Sequence, residues 1–243
     1  MKKFYEAFGN TPVLGMIHLA GRLPVKRALD EIRTYSEEGL DGAIIQNYHG
    51  CAKDVEKILK EQSRMDHGLI LGVNIIPNEF EKSIPLADQY GCDFVQVDNI
   101  AGKYVQGRLN FSKYNKFRKN FSDILVFGGV WSKGYQPVKG SDLEEDLNEA
   151  TERADAVVVT GPAKNKPTPI NKINDYRKCI GEFPLIVGSG LRTNNAYDRL
   201  KVAEGGFVGS YFKVKNKTWN NLDVHKIRDF MDVVKEIRDY KTR

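Results

Sequence analysis

The chain has few cysteines and no long apolar run, and each shortage excludes a class of protein. Its 243 residues include only Cys51, Cys92 and Cys179, which are far apart and form no metal-binding pair. An odd number of distant cysteines is typical of reduced thiols, so we expect a cytoplasmic protein. No run of about 18 uncharged apolar residues occurs, and no apolar run follows the basic start at residues 1–3, which argues against membrane insertion and export.

The sequence also lacks linker-like segments. No Ser-, Gly- or Pro-rich stretch, low-complexity tract or abrupt change of composition divides the chain. A length of 243 residues is enough for one large domain with a sizeable core. We therefore expect residues 1–243 to form a single domain.

Histidine is scarce, and the acidic residues are not grouped with the histidines in a pattern that would bind a metal ion. The four histidines take part in no His/Asp/Glu cluster with the spacing of a metal site. We predict no structural metal and assign no cofactor. A divalent ion carried in by a phosphorylated substrate is compatible with the pattern, because Mg²⁺ often uses one carboxylate plus substrate oxygens.

The net charge of +5 is compatible with an anionic partner. Lysine and arginine are spread along the chain, and local runs such as 113–119 and 213–217 are typical of solvated helix faces and loops. No recognised nucleic-acid module accompanies them. A small phosphorylated ligand explains the positive charge as well as an RNA partner would. We therefore do not predict a nucleic-acid partner.

Short apolar runs recur at fairly even spacing, and amphipathic helical patterns lie between them, most clearly over residues 224–237. Continuous apolar runs indicate strands buried on both faces, and alternation with helices requires parallel pairing. Eight such units predict a closed (β/α)8 TIM barrel. A doubly wound sheet would favour a Gly-x-Gly-x-x-Gly turn after the first strand, which is absent. The runs are 13–17, 43–45, 69–73, 94–97, 124–127, 156–159, 185–187 and 207–208.

The last two runs each break into glycine and serine before a helical pattern. Glycine lets backbone N–H groups approach an anion, and a helix N-terminus adds partial positive charge. Two such loops in succession predict a phosphate site at the end of the barrel, although each loop could simply turn the chain. We expect a side chain at position 190 to occupy the space of the phosphate. The predicted phosphate-binding residues are Gly188, Ser189, Gly190, Gly209 and Ser210.

Polar residues follow several other predicted strands, where a barrel of this type carries its function. His18 is a candidate general acid or base, and Lys133 could bind an anion or form a Schiff base. Asp98 could orient a ligand hydroxyl, act as a base, or cap a loop. Structural hydrogen bonding is the alternative interpretation of each. Further residues at strand ends are predicted to bind substrate: Asn47, Asn74, Gln96, Thr160 and Gly161.

Several blocks of the sequence, taken in order, are similar to one known family. The blocks are residues 12–19, 72–74 with Asn78, 160–161 with 166–168, 187–190, and 208–210 with Lys213. Together they resemble the BtpA family, which is also described as photosystem I biogenesis or SgcQ-like proteins. The similarity runs from about Phe8 to the last helix. It implies a TIM barrel related to the ribulose-phosphate-binding barrels, in a family described partly as predicted enzymes and partly as an assembly factor.

The chain departs from the family pattern where charge matters. Two carboxylates typical of the family are missing from residues 46–50, and Gln96 and Asp98 replace an arginine and an asparagine. A Lys-His pair after the fifth strand is reduced to Lys133, and Lys164-Asn165 replaces a second Thr-Gly. The resemblance therefore identifies a divergent member.

Two hypotheses follow. The first is a protein that binds a small phosphorylated metabolite, a sugar phosphate or nucleotide-like molecule, and acts as an isomerase, a lyase or aldolase, or a hydrolase. The second is a non-catalytic assembly or regulatory factor derived from such an enzyme. A homo-oligomer is compatible with either hypothesis.

Overall fold

Eight parallel strands form a closed barrel in chain order, and β8 pairs with β1 to complete it. The computed structural model describes residues 2–162 and 166–242, so Lys164 and Asn165 lie outside the described residues. The strands are β1 (Val13–Ile17), β2 (Gly42–Gln46), β3 (Ile70–Asn74), β4 (Phe94–Val97), β5 (Leu125–Gly129), β6 (Ala156–Val159), β7 (Leu185–Val187) and β8 (Gly205–Val208). The predicted (β/α)8 barrel is confirmed.

The described residues form nine α-helices, and a helix follows each strand. The helices are α1 (Lys2–Phe8), α2 (Pro24–Glu37), α3 (Ala52–Gln62), α4 (Phe80–Gln89), α5 (Phe111–Asn120), α6 (Leu143–Arg153), α7 (Ile170–Ile180), α8 (Thr193–Leu200) and α9 (Val224–Thr242). Two short 3₁₀ turns, Ser210–Phe212 and Val214–Asn216, lie between β8 and α9. No helix in the described part of the chain is long and apolar enough to cross a membrane.

Side chains alternate between the barrel interior and the surrounding helices, as the period of two in a strand requires. The interior is rich in aromatic rings, and Phe94 stacks on Phe127 with a centroid distance of 4.6 Å. Gly72 makes room for this packing, because a Cβ there would lie 2.2 Å from the Phe94 ring. The buried interior positions on the strands are Leu14, Ile44, Phe94, Leu125, Phe127, Ala156, Val158, Ile186 and Phe207.

Helix α1, which the sequence analysis does not predict, closes the N-terminal end of the barrel. Phe4 and Phe8 are buried against the interior aromatic rings. Their ring centroids lie 5.7 Å and 5.4 Å from that of Phe127. The opposite end, where the strands terminate, is left for a ligand site.

An acidic residue precedes each even-numbered strand and accepts a hydrogen bond from the backbone near the start of the preceding odd strand. Asp41 accepts from the Val13 N–H at 2.7 Å, and Asp93 accepts from the Leu71 N–H at 2.9 Å. The same contact joins the next two pairs of strands, at 2.8 Å and 2.6 Å. These four bonds satisfy strand N–H groups at the N-terminal face, which is the face associated with stability. The last two pairs are Asp155 with Val126 and Glu204 with Leu185.

A buried ion pair attaches the segment after β8 to helix α2. Lys213 lies 2.6 Å from Glu31, and Arg27 binds the same carboxylate group at 3.1 Å. Arg27 also donates to the backbone oxygens of Trp219 and Asn220. The segment from 213 to 220 is thereby held beside the C-terminal end of the barrel.

Candidate functional site

A cavity of about 320 Å³ lies at the C-terminal ends of the strands. This volume is at the lower end of the range for small-molecule sites. Strand alternation explains its lining, because His18 and Gln96 are inward-facing positions that follow the interior residues Leu14 and Phe94. Ten of the predicted site residues line this cavity: His18, Gln96, Asp98, Lys133, Thr160, Gly188, Ser189, Gly190, Gly209 and Ser210.

A larger groove, of about 850 Å³, is lined by the loop between β4 and α5, the loop between β5 and α6, and helix α6. Its lining mixes acidic and basic side chains, including Lys103, Arg108 and Glu145. None of the predicted site residues lies in it. The cavity at the strand ends is therefore the better candidate for a functional site.

His18 is an almost completely buried histidine at the wall of the cavity. Burial holds the pKa of its imidazole well below the usual range, and the positive charge of Lys213 acts in the same direction. Nδ1 has no hydrogen-bond partner among the described residues, and the ring meets Tyr48 edge-to-face. A neutral imidazole at neutral pH can accept a proton, as a general base requires.

Asp98 lies at the end of β4 and receives three hydrogen bonds. The Asn74 amide donates to Oδ1 at 3.3 Å, while the Asn78 N–H and the Tyr135 hydroxyl donate to Oδ2 at 3.3 Å and 3.4 Å. Burial raises the pKa of the carboxyl group, and these donors and Lys133 oppose the rise. Asn74 is fully buried and positions Asp98 without lining the cavity itself.

Lys133 lines the same cavity as His18 and Asp98, although its side chain is exposed overall. Its backbone N–H donates to the Thr160 hydroxyl at 2.8 Å, which fixes the β5 loop against the end of β6. Its charge helps to lower the pKa of His18 and also acts on Asp98. The structure therefore brings the three candidate catalytic residues to one cavity.

The Ser189 hydroxyl is engaged in bonds within the protein. It accepts from the Gly161 N–H at 2.7 Å and lies 3.3 Å from the Thr168 hydroxyl, which itself donates to the Ser189 carbonyl. The hydroxyl therefore joins the loop after β6 to the loop after β7 by hydrogen bonds. Gly161, which is predicted to bind substrate, donates one of these hydrogen bonds and does not line the cavity.

Gly190 lines the cavity, but the direction of its missing side chain differs from our expectation. Its φ is +72°, and a Cβ at this position would lie 2.2 Å from the Pro167 Cα. A substituent at position 190 would thus run into the β6 loop and not into the space of a phosphate. Glycine is required here for backbone conformation and for close packing.

Asn47 does not line the cavity either. Its amide oxygen accepts from the Ile76 N–H at 2.8 Å, and its amide nitrogen donates to the Ile76 carbonyl at 3.2 Å. Both polar atoms are used in joining the loops after β2 and β3. Asn47 therefore has a structural hydrogen-bonding role, which was the alternative to substrate binding.

Arg192 is a cavity residue that the sequence analysis missed. It lies directly before α8, where the partial positive charge of a helix N-terminus disfavours a cation. Within residues 2–162 and 166–242, no carboxylate forms an ion pair with it. Its position just after the glycine loop was the available signal. Tyr135, which contacts Asp98, was missed as well.

Comparison with known proteins gives a family and a set of structural relatives. The model of the BtpA family matches residues 10–236. An uncharacterized protein of Thermococcus kodakarensis is 29% identical over 95% of this chain and 98% of its own length. The photosystem I biogenesis protein BtpA of Synechocystis is 21% identical over 93% of this chain and 89% of its own. The thiamine phosphate pyrophosphorylase of Pyrococcus furiosus shares the fold, with a TM-score of 0.64, 14% identity, and coverage of 93% and 96%.

Proposed function

The chain belongs to the BtpA family, and we propose that it binds a small phosphorylated metabolite, a sugar phosphate or nucleotide-like molecule, at the C-terminal end of its barrel. The observation that carries the proposal is Arg192. This cation lines the cavity directly before the N-terminus of α8, beside the glycine loops after β7 and β8. A phosphate would pair with the guanidinium and interact favourably with the helix terminus.

The two glycine loops supply further donors for an anion. In the described turns and loops, no backbone carbonyl accepts a hydrogen bond from the N–H groups of Ser189, Gly190, Gly209 or Ser210. Strands β7 and β8 are paired, which brings the two loops side by side. The structural relative from P. furiosus is named a thiamine phosphate pyrophosphorylase, and this name supports the same class of ligand.

The remaining cavity residues suit proton transfer on the bound molecule. His18 would accept a proton as a neutral base, Lys133 would stabilise an oxyanion, and Asp98 would orient a ligand group. Isomerisation, lyase or aldol chemistry, and hydrolysis can each use this set. We propose that the reaction belongs to one of these classes.

A non-catalytic assembly or regulatory role is the second candidate. The name of the Synechocystis relative, a photosystem I biogenesis protein, favours it. Both candidates use the same ligand site. Turnover of a bound phosphorylated metabolite would support the enzyme, whereas binding without turnover would support the regulatory factor.

Calorimetric titration with D-ribose 5-phosphate and D-ribose tests the ligand class. The phosphorylated sugar should bind and stabilise the protein, because a ligand that binds only the native state raises its stability. Arg192→Gln should weaken binding by about tenfold or more, the usual effect of losing a charged hydrogen bond. Arg64→Gln, an exposed arginine ahead of β3, is the control and should bind normally.

Two results would contradict the proposal. Equal affinity for D-ribose and D-ribose 5-phosphate would show that the phosphate is not recognised. Unchanged affinity in a folded Arg192→Gln variant would place the phosphate elsewhere.

A further inference from the structure

The two sides of the cavity differ in chemistry. Strands β4 and β8 are four places apart in the closed ring of eight, so they lie on opposite sides of the barrel. Asp98 and Gln96 belong to the end of β4, and the loop with Gly209 follows β8. A ligand whose phosphate meets the β7 and β8 loops therefore extends its other end toward Asp98 and Gln96.

The β4 side presents hydrogen-bond acceptors. An ionised carboxylate has about four acceptor positions, and the three donors to Asp98 leave one for a ligand. Gln96 also lines the cavity, and its buried Oε1 atom accepts no hydrogen bond from the described residues.

Charge points the same way as hydrogen bonding. Among the residues that the structure describes, Asp98 is the only carboxylate that lines the cavity, and it is mostly buried. Lys133 offsets part of this charge, but its side chain is exposed and water screens its interactions. A second anion beside Asp98 would meet a buried like charge, which is unfavourable.

We infer that the end of the ligand opposite the phosphate carries uncharged or cationic hydrogen-bond donors, hydroxyl or amino groups, and no second acidic group. The inference rests on the proposed phosphate site and narrows its substrate class. It favours monophosphorylated polyols, sugars and amino sugars over bisphosphates and phosphorylated sugar acids. Asp98 and Gln96 are the residues that set this preference.

The test uses two open-chain probes that differ only at the end away from the phosphate. D-Glucitol 6-phosphate ends in a hydroxyl group, and 6-phospho-D-gluconate ends in a carboxylate. Calorimetry on the full chain should show at least about tenfold tighter binding of the glucitol phosphate, a difference of about 1.4 kcal/mol. D-Glucitol and D-gluconate serve as the unphosphorylated controls.

Two variants assign the preference to the β4 side. Asp98→Asn removes the negative charge and should reduce the affinity ratio of the two probes to about threefold or less, near the scale of kT. Gln96→Glu adds a carboxylate and should widen the ratio. If Asp98→Asn does not fold, Gln96→Glu decides alone, because it removes no hydrogen bond to Asp98.

The outcomes separate the inference from the proposed function. If both phosphorylated probes bind more tightly than their controls but 6-phospho-D-gluconate binds as well as D-glucitol 6-phosphate, the inference is wrong and the phosphate site stands. An affinity ratio of the two phosphorylated probes that neither Asp98→Asn nor Gln96→Glu changes also overturns the inference. If neither probe binds more tightly than its unphosphorylated control, the proposed function fails and the inference fails with it.

Discussion

The ammonium group of Lys213 lies 2.6 Å from a carboxylate oxygen of Glu31, and both side chains are almost completely buried. Lys213 follows β8, and Glu31 belongs to α2. Burial lowers the pKa of Lys213, and the negative charge of Glu31 raises it. The pair joins the segment after β8 to helix α2 beside the candidate site.

Lys213→Met should lower the free energy of unfolding by about 3 kcal/mol, because it leaves the Glu31 carboxylate buried beside a single cation, Arg27. The double variant Lys213→Met with Glu31→Leu should lose less, because it removes the buried carboxylate as well, and Arg27 keeps its hydrogen bonds to the backbone oxygens of Trp219 and Asn220. Urea denaturation of the two variants and the wild type measures both effects. Additive losses in the double variant would show that the two residues do not interact.

His18 should make the protein less stable in mild acid. Its native pKa is depressed, so the unfolded chain binds a proton near pH 6.5 that the native imidazole does not. The free energy of unfolding should fall by up to about 1.4 kcal/mol between about pH 7.5 and about pH 5.5 from this residue alone. His18→Gln should remove this part of the pH dependence in urea denaturation.

His225→Gln is the matched control for this measurement, because His225 is exposed on α9. It should keep the wild-type dependence on pH. If His18→Gln and the wild type have parallel profiles, His18 is protonated as easily in the native protein as in the unfolded chain.

Gly190→Ala should destabilise the protein more than Gly39→Ala. Both glycines have φ of +72°, so both variants carry the left-handed cost of about 1–2 kcal/mol. A Cβ at position 39 has open space, whereas one at position 190 meets Pro167, which adds about 1–3 kcal/mol. Thermal and urea denaturation compare the two, and equal losses would mean that the β6 loop moves aside without cost.

Phe4→Ala should lower the free energy of unfolding by about 3–5 kcal/mol, because it opens a cavity under the interior aromatic rings. Tyr5→Ala on the same helix is the control. Tyr5 is 45% exposed, so its loss should cost about 1 kcal/mol or less. A small effect at Phe4 would show that α1 does not seal the barrel.

The strands and the inward positions were predictable because both depend on local periodicity. Each predicted strand overlaps an observed one, with ends that differ by no more than two residues. The alternation that buries Leu14 also aims His18 at the cavity, and the same relation connects Phe94 with Gln96 and Asp98. A short sequence window is enough to place these side chains.

The remaining features depend on contacts between distant residues. Asn47 and Ser189 are residue types that bind ligands, but their partners, Ile76 and Gly161, lie 29 and 28 positions away along the chain. Helix α1 has only seven residues, too few for a clear helical period, and its partners come from several strands. Arg192 and Tyr135 lie in loops, where no periodicity marks the orientation of a side chain.

The acidic residues ahead of the even-numbered strands have a consequence for how such barrels can be recombined. Each carboxylate and the N–H group that it binds belong to one pair of neighbouring strands, as with Asp93 and Leu71. A chimera joined between β2 and β3, or between β4 and β5, keeps every carboxylate with its own partner. A chimera joined inside a pair separates them, so the natural exchange unit of this barrel is two strands with their helices.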